Sequence, residues 1–486
     1  MLSGNNANSR PMFFVNSNKL SEEKMQRESL KSRLGFILLS AGCAIGVGNV
    51  WKFPYITGQN GGGWFVLIYL ICLVAVGVPV MTMEFAMGRA SRRSPASLYE
   101  PLEPKGSKWH IHSIFAVAGN VLLMMFYTTV AAWMLYYFYQ TATGKFVGMD
   151  SDTVQGEFGN MLADPVPMII FMAIVVVAGS LVCFFGVQKG LERVTKYMMI
   201  ALLIIMVILA INSIFTEGGM EGFKFYLVPN AENIKNVGEG NMIKGIGKVV
   251  VAALNQSFFS LSIGMGSMAI FGSYIGKERS LMGEAVNVAV LDTFVAITAG
   301  LIIFPACFSF GIEPSSGPGL IFQTLPNIFN NMAGGRVWGS LFFVFMSFAA
   351  LSTIFAIFEV LIASMMEKFG WSRKKACLIN GAAIFVLSLP CIFGFNILSF
   401  ITPFGEGSTI LDLESFLVEN LILPLGSLVF VIFCTCRYGW GWKNFVAEAN
   451  EGKGLKVAKW MRGYMTFVLP VIVVILFVIS MYNYFA

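Results

Sequence analysis

The chain has 486 residues, of which 56% are hydrophobic and only 12% are charged. An average soluble domain carries about 25% charged residues, so this composition excludes an ordinary soluble protein. A net charge of +6 would suit a nucleic-acid partner, but the placement of the basic residues points to membrane topology instead. We therefore expect a lipid bilayer around the chain and no nucleic acid.

Successive apolar segments of about 20 residues are each long enough to cross the roughly 30 Å hydrocarbon core of a bilayer. Of the 33 lysines and arginines, 26 lie in the N-terminal segment and in alternate loops, which by the positive-inside rule predicts a cytoplasmic N-terminus. The chain is thus predicted to be a multi-pass protein of the cell membrane, with its C-terminus outside. The eleven predicted spans, numbered 1 to 11, are 34–57, 64–87, 113–140, 166–185, 194–215, 249–275, 284–311, 337–366, 376–394, 410–436 and 464–484.

Span 1 contains AGCAIGVGNVWKFPY, residues 41–55, in which three glycines, an asparagine, a lysine and a proline interrupt an apolar run. An unwound stretch exposes backbone groups at several kcal/mol each if they stay unpaired in hydrocarbon. Such a break is tolerable where it faces a buried polar site, since freed amides attract a carboxylate and freed carbonyls attract a cation. Close helix packing by small residues is the alternative.

Span 6 carries a second interruption, NQSFFSLSIGMGSMAIFGSY at residues 255–274. Interrupted spans at matching positions of two halves are typical of inverted-repeat transporters, and a second break weakens the packing alternative. The predicted divisions are a cytoplasmic tail at 1–33, a first five-helix repeat at 34–215, an extracellular loop with some structure of its own at 216–248, a second repeat at 249–436, a cytoplasmic loop at 437–463 and an eleventh helix at 464–486.

Motifs of catalytic chemistry are nearly missing from the sequence. His110 and His112 are the only histidines, and no H-E-x-x-H, G-x-S-x-G or P-loop motif is present. The eight cysteines are scattered, most of them in apolar spans, which favours a role as small core residues. We expect the protein not to be an enzyme. Asp292, a carboxylate in the middle of span 7, is costly there and is a candidate functional residue.

The segments AGCAIGVGNVWKFPY, QSFFSLSIGMGS and FAALST together resemble the neurotransmitter:sodium symporter family, and GVQKGLERVTK and NLILPLGS extend the match. The resemblance covers about residues 27–484 and is greatest to bacterial eleven-span members that carry hydrophobic amino acids. It implies an all-α fold, a five-plus-five inverted repeat with broken helices 1 and 6, and transport by alternating access.

The resemblance implies that an amino acid binds at the two breaks. The groups expected to meet its carboxylate are the amides of Val47 and Gly48, the hydroxyl of Tyr127 and one Na⁺. The groups expected to meet its amine are the carbonyls of Ala44, Phe259 and Ser260 and the hydroxyl of Ser262. The residues expected around its side chain are Gly46, Leu123, Phe259, Met265 and Ile357.

Two Na⁺ sites are implied by the same resemblance, and oxygen-only ligation suits a hard cation. The ligands expected at the first are the Ala44 carbonyl, Asn49, Ser260 and Asp292. The ligands expected at the second are the carbonyls of Gly42, Ile45 and Ala349 and the side chains of Ser352 and Thr353. From the residues alone, Ser352 and Thr353 could equally hydrogen-bond to carbonyls one turn earlier in their helix.

Animal members of the family bind a chloride ion near the position of Asp292. The matching positions here are Tyr69, Gln256 and Ser260, but the fourth position, usually a hydroxyl or an acid, is Ala296. We expect Asp292 to supply the negative charge, or to carry a proton for part of the cycle, so that the protein has no chloride requirement.

The gates are also implied by the resemblance. Arg27 and Glu367 match the inner pair, which Tyr274 would brace. Lys52 and Phe259 match the outer gate, where the usual aspartate partner of Lys52 aligns with Ser415. Acidic residues close to that position are Asp412 and Glu414.

The predicted function is Na⁺-coupled symport of amino acids, above all large hydrophobic ones, aliphatic or aromatic. The alternatives are transport of another small amino acid-like solute and a sensor, or transceptor, with the same fold. The oligomeric state is not predicted.

Overall fold

The computed structural model describes residues 30, 32–214, 219–309 and 319–485. These residues form helices joined by turns, with no β-strand among them, which confirms the all-α prediction. Nine of the described helices are long and apolar enough to cross a membrane. They are Gly63–Ser91, Trp109–Thr143, Pro165–Phe184, Val187–Ser213, Leu281–Ser309, Gly335–Phe369, Arg373–Phe393, Ile410–Thr435 and Met461–Tyr482, and they correspond to spans 2 to 5 and 7 to 11.

Span 1 is a bent pair of helices, Arg33–Ala44 and Gly48–Gln59, whose axes meet at 57°. Span 6 is divided in the same way into Met242–Ser260 and Ser267–Gly272. Both interruptions lie inside the stretches in which the sequence predicts them. The two breaks therefore stand at matching positions of the two repeats.

The segment predicted as a loop at 216–248 contains two short helices, Gly219–Leu227 and Ala231–Val237. Span 6 also begins earlier than predicted, at Met242 rather than at residue 249. The Asn241 side chain caps this start, and its oxygen accepts hydrogen bonds from the amides of Ile243 and Lys244 at 2.9 and 3.2 Å. Such an N-cap pairs amides that have no partner within the helix.

Three further helices connect the spans: Ser151–Ala163, Leu325–Asn331 and Trp442–Ala449. Span 8 lies at the centre of the bundle and packs against spans 1, 3, 4, 5 and 9. All eight cysteines are free thiols, and seven are buried, as expected for small core residues.

Several spans contain π-helical turns, which insert one extra residue into a helix and often mark functional sites. They are Gly48–Lys52, Leu73–Gly77, Val187–Glu192, Leu417–Ile422 and Tyr464–Val468. The turn in span 2 leaves the Ala75 carbonyl available, and the Tyr464 hydroxyl donates to it at 2.9 Å. This bond attaches the start of span 11 to span 2.

Candidate substrate and cation site

The break in span 1 is centred on Ile45 and Gly46. The backbone of Ile45 is extended, with φ −71° and ψ 100°, so the helix cannot continue through it. A Cβ on Gly46 would overlap the Tyr127 hydroxyl and the Thr353 hydroxyl, so glycine is required for this close approach. The Val47 amide donates to the Tyr127 hydroxyl at 2.7 Å. Two groups predicted to meet a substrate carboxylate are thus already together.

The break in span 6 is held by a buried carboxylate, Glu84 of span 2. One carboxylate oxygen accepts from the Gly264 amide at 2.5 Å, and the other accepts from the Met268 amide at 3.2 Å. Gly264 has φ +102°, a conformation that disfavours any side chain. Glu84 is not among the predicted functional residues, although it is a lone carboxylate in the apolar run VMTMEFAMG and so meets the same criterion as Asp292.

Asn120 of span 3 supports the same break from the other side. Its amide nitrogen donates to the Met265 carbonyl at 3.0 Å, and its amide oxygen accepts from the Ser267 hydroxyl at 3.0 Å. Glu84 and Asn120 together pair the backbone groups that unwinding would otherwise leave without partners in a buried region. This pairing is what allows the interruption to persist.

A small cavity lies between the two breaks. The volume of this cavity is about 10 Å³, which is enough to hold one water molecule. The lining residues that the sequence predicts are Ala44, Gly46, Gly48, Leu123, Tyr127, Phe259, Ser262 and Met265. Thr353, Val418 and Leu423 also line the cavity, whereas Val47, Ser260 and Ile357 do not. Val418 and Leu423 belong to span 10, whose contribution to the cavity is not predicted from the sequence.

The side chains predicted at the first cation site converge beside this cavity. The Asn49 amide nitrogen donates to Asp292 Oδ1 at 2.8 Å, and the Ser260 hydroxyl donates to Asp292 Oδ2 at 2.6 Å. The Tyr69 hydroxyl donates to Ser260 Oγ at 3.0 Å. All four residues are fully buried. The cluster therefore brings a carboxylate and three neutral oxygen-bearing side chains together from spans 1, 2, 6 and 7.

Gln256, the remaining position of the predicted anion site, lies four residues before Ser260 in the same helix. Its amide nitrogen donates to the Gly48 carbonyl at 2.8 Å. Its buried amide oxygen has no hydrogen-bond partner among the described residues. Ala296 contributes only its backbone carbonyl, which accepts from the Tyr226 hydroxyl at 3.4 Å.

The residues predicted at the second cation site also come together, between spans 1 and 8. The Thr353 hydroxyl lies 3.3 Å from the Gly42 carbonyl oxygen and 3.4 Å from that of Ile45. The Ser352 hydroxyl lies 3.3 Å from the Ile45 oxygen and 2.9 Å from the Ala349 oxygen. Ser352 thus reaches one turn back as well as across to span 1. The Thr353 hydroxyl hydrogen-bonds across to span 1. Thr353 therefore does not adopt the alternative, a hydrogen bond to a carbonyl one turn earlier in its own helix.

The partner of Lys52 differs from the candidates that the sequence suggested. Lys52 forms an ion pair with Glu419 of span 10, not with Asp412, Glu414 or Ser415. Residues four apart share a helix face, so Glu419 lies one turn along from the aligned Ser415. The Glu414 side chain is instead buried. The four-residue spacing was the signal that could have identified Glu419.

The Lys52–Glu419 pair covers the cavity. The Lys52 ammonium lies 4.4 Å from the centre of the Phe259 ring, and Phe259 lines the cavity directly. A cation over an aromatic face is attractive by about 0.5–2 kcal/mol. On this side the closure therefore consists of an ion pair stacked on an aromatic ring.

The opposite side has a second set of charged contacts. Glu367 accepts from the Ser94 hydroxyl at 2.6 Å and from the Ser94 amide at 3.0 Å. Arg27, its predicted partner, lies outside the described residues. Tyr274 donates to Glu359 at 2.7 Å, and Arg373 donates to the same carboxylate at 2.7 Å. Glu359 and Arg373 are contacts that the sequence analysis did not identify.

Removing the charge at Glu419 is expected to speed substrate release by about two- to fivefold, because a partly exposed ion pair contributes on the order of 1 kcal/mol. The measurement is the dissociation rate of bound labelled substrate from Glu419→Gln. Glu406→Gln, at an exposed site away from the cavity, is the control. Wild-type dissociation in Glu419→Gln would show that the pair does not restrain release.

Comparison with known proteins identifies the family. The model of the sodium:neurotransmitter symporter family matches residues 27–153 and 157–486. The uncharacterized sodium-dependent transporter YhdH of Bacillus subtilis is 32% identical, covering 92% of this chain and 96% of that protein. The sodium-dependent serotonin transporter of Drosophila melanogaster is 25% identical, covering 96% of this chain and 78% of that protein.

A solved structure is similar over nearly the whole chain. The crystal structure of MhsT in complex with L-phenylalanine superposes with a TM-score of 0.83 at 36% identity, covering 93% of this chain and 100% of that chain. The chain belongs to the sodium:neurotransmitter symporter family and is a sodium-dependent membrane transporter.

Proposed function

We propose that the protein imports large hydrophobic amino acids, aliphatic or aromatic, together with two Na⁺ and without a chloride requirement. The observation that carries the proposal is the uncharged cavity between the two helix breaks, together with the two oxygen-rich clusters around Asp292 and Thr353. In alternating access, spans 1, 2, 6 and 7 would rock against the remaining spans. The loop charges support a cytoplasmic N-terminus.

The lining of the cavity supports a hydrophobic substrate. None of its eleven described lining residues carries a charge, so a charged substrate side chain would lose its hydration without a partner. The similar protein MhsT was crystallised with L-phenylalanine. Because the cavity has room for only one water molecule, a large side chain requires its walls to move apart.

Met265 is the wall residue best suited to such movement, because an unbranched thioether adapts its shape readily. It packs against Gly119, where an added Cβ would lie 3.2 Å from the Met265 sulfur. Its own neighbours in the chain, Gly264 and Gly266, have positive φ values of 102° and 71°. The pocket size therefore depends on a flexible side chain set in a glycine-rich break.

Uptake into proteoliposomes tests the proposal directly. Labelled leucine should accumulate with an inward Na⁺ gradient and not with K⁺ in its place. Unlabelled leucine, methionine, phenylalanine and tryptophan should compete, and glycine and glutamate should compete poorly. Strong competition by glutamate or glycine, with none from the hydrophobic amino acids, would contradict the proposed substrate class.

Met265→Phe is expected to penalise tryptophan and tyrosine by about tenfold more than alanine or valine, because the ring occupies volume that large side chains need. The measurement is competition for Na⁺-dependent uptake. Met366→Phe, near the end of span 8 and away from the lining residues, is the control. An equal change for small and large substrates would remove Met265 from substrate selection.

Uptake by the wild type is expected to be equal in chloride and in gluconate, because the Asp292 carboxylate lies where an anion would complete the cluster with Tyr69 and Ser260. Asp292→Asn should lower uptake at least tenfold, with chloride restoring part of it. Wild-type uptake that collapses in gluconate would refute chloride independence.

A sensor with the same fold would be favoured if Lys52 had no acidic partner, since the aspartate usual in the family aligns with Ser415 here. The Lys52–Glu419 ion pair supplies that partner, which supports a protein that can close over its substrate and transport it. Sodium-driven accumulation above the external concentration separates the two functions, since a sensor binds without accumulating.

A further inference from the structure

A large apolar groove runs along the outside of the bundle between spans 2, 7 and 11. Its volume is about 730 Å³, and its walls are almost wholly apolar. Val74, Val290 and Phe294 expose 66%, 64% and 45% of their surfaces there. Tyr464 and Ala75 also line the groove, and the Tyr464 hydroxyl donates to the Ala75 carbonyl. The groove is thus wide enough for hydrocarbon chains and offers them few polar groups.

A smaller polar cavity of about 250 Å³ joins one end of this groove. Val286 and Leu455 line both spaces, so the apolar groove and the polar cavity adjoin at these two residues. Arg33, Arg279 and Lys453 line the polar cavity. Its only acidic lining residue is Glu284, which pairs with Arg33 at 2.9 Å.

Arg279 and Lys453 are held side by side by their backbones. The Ser280 amide donates to the Lys453 carbonyl at 3.1 Å, and the Lys453 amide donates to the Glu278 carbonyl at 2.9 Å. Both side chains belong to exposed residues, and neither forms an ion pair with any other part of the chain that the structure describes. Three basic residues and one acidic residue leave this cavity with a net positive charge.

We propose that these two joined cavities bind an anionic phospholipid with two acyl chains. The acyl chains lie in the groove between spans 2, 7 and 11, and the phosphate contacts Arg279 and Lys453. A neutral lipid would leave both cations without a counter-charge, and a free phosphate ion would leave the apolar groove unfilled. Only an anion attached to long hydrocarbon chains matches both cavities.

The surroundings of the junction agree with the surface of a membrane. Trp460 lines the groove and is 72% exposed, and tryptophan and tyrosine concentrate at membrane interfaces. Lys456, Lys459 and Arg462 follow in the same segment and are also exposed. The loop charges assign 437–463 to the cytoplasm, where the leaflet carries anionic lipids that basic segments attract.

Native mass spectrometry of the full chain in detergent tests the proposal. The protein is mixed with equal amounts of phosphatidylglycerol and phosphatidylcholine that carry the same acyl chains. The wild type should retain phosphatidylglycerol preferentially. The double variant Arg279→Gln/Lys453→Gln should lower that preference by about tenfold, because each basic residue near a membrane surface contributes to anionic lipid binding. Val290→Trp should lower retention of both lipids by filling the groove.

The matched control is Lys105→Gln/Lys108→Gln, which removes two exposed positive charges from the segment between spans 2 and 3. Its lipid preference should equal that of the wild type. An equal loss in control and test variants would overturn the site, as would an unchanged preference in Arg279→Gln/Lys453→Gln. Displacement of the lipid by inorganic phosphate alone would contradict the role of the acyl chains. A dimer that Val290→Trp dissociates would assign the groove to a second copy of the chain instead.

Discussion

Replacing Thr353 by valine is expected to weaken Na⁺-dependent substrate binding by about 100-fold. Valine keeps the shape of the side chain but removes the hydroxyl that lies 3.3 Å from the Gly42 carbonyl oxygen and 3.4 Å from that of Ile45. Those three oxygens, with the Ser352 hydroxyl and the Ala349 carbonyl, are the candidate ligands of one Na⁺. Loss of even an outer-shell partner typically costs 10- to 100-fold in metal affinity, so loss of a ligand should cost about 100-fold. Ion and substrate are reciprocally linked, so the substrate loses affinity too.

The measurement is equilibrium binding of labelled leucine as a function of Na⁺ concentration. The half-saturating Na⁺ concentration should rise, and binding should recover at high Na⁺. Thr435→Val is the matched control, because Thr435 is also buried but its hydroxyl bonds only to the Val431 carbonyl of its own helix at 2.8 Å. If both variants bind with the wild-type dependence on Na⁺, Thr353 is not a ligand.

Replacing Glu84 by alanine is expected to remove measurable substrate binding and to destabilise the protein. The amides of Gly264 and Met268 would lose their shared acceptor inside a fully buried region. Each buried amide left without a partner costs about 1–3 kcal/mol, and the missing side chain leaves a cavity besides. A change of about 1.4 kcal/mol is tenfold in affinity, so the loss should exceed 100-fold.

Glu84→Gln distinguishes the effect of losing the hydrogen-bond acceptor from the effect of losing the carboxyl group. It keeps one acceptor oxygen of similar reach, so we expect a loss of only about tenfold. Binding of labelled leucine and the thermal unfolding temperature should be measured on the same samples. High Na⁺ should rescue Thr353→Val but not Glu84→Ala, since Glu84 shapes the break and does not contact the cation cluster. Full activity in Glu84→Ala would falsify the role of Glu84 in holding the break.

The sequence by itself determined the class of protein and the places where its helices are interrupted. Glycines and polar residues in an apolar run carry a local signal, because they favour a backbone that leaves the helix, as it does at Ile45 and Gly46 and at Gly264 and Gly266. The motifs that carry the family resemblance are equally local. Most of the candidate site therefore followed from short stretches of chain, and the structure brings those stretches together.

Only the tertiary structure decided which distant groups meet at the site. Glu84 hydrogen-bonds to a helix break 180 residues away. Lys52 pairs with Glu419 and not with Asp412 or Glu414, because Glu419 lies on the face of span 10 that Lys52 contacts. Val418 and Leu423 line the cavity, whereas the buried Ile357 does not. Such choices depend on the relative rotation of packed helices. A sequence pattern states which residues share one helix face, but the packing of all the spans determines which face turns toward the substrate.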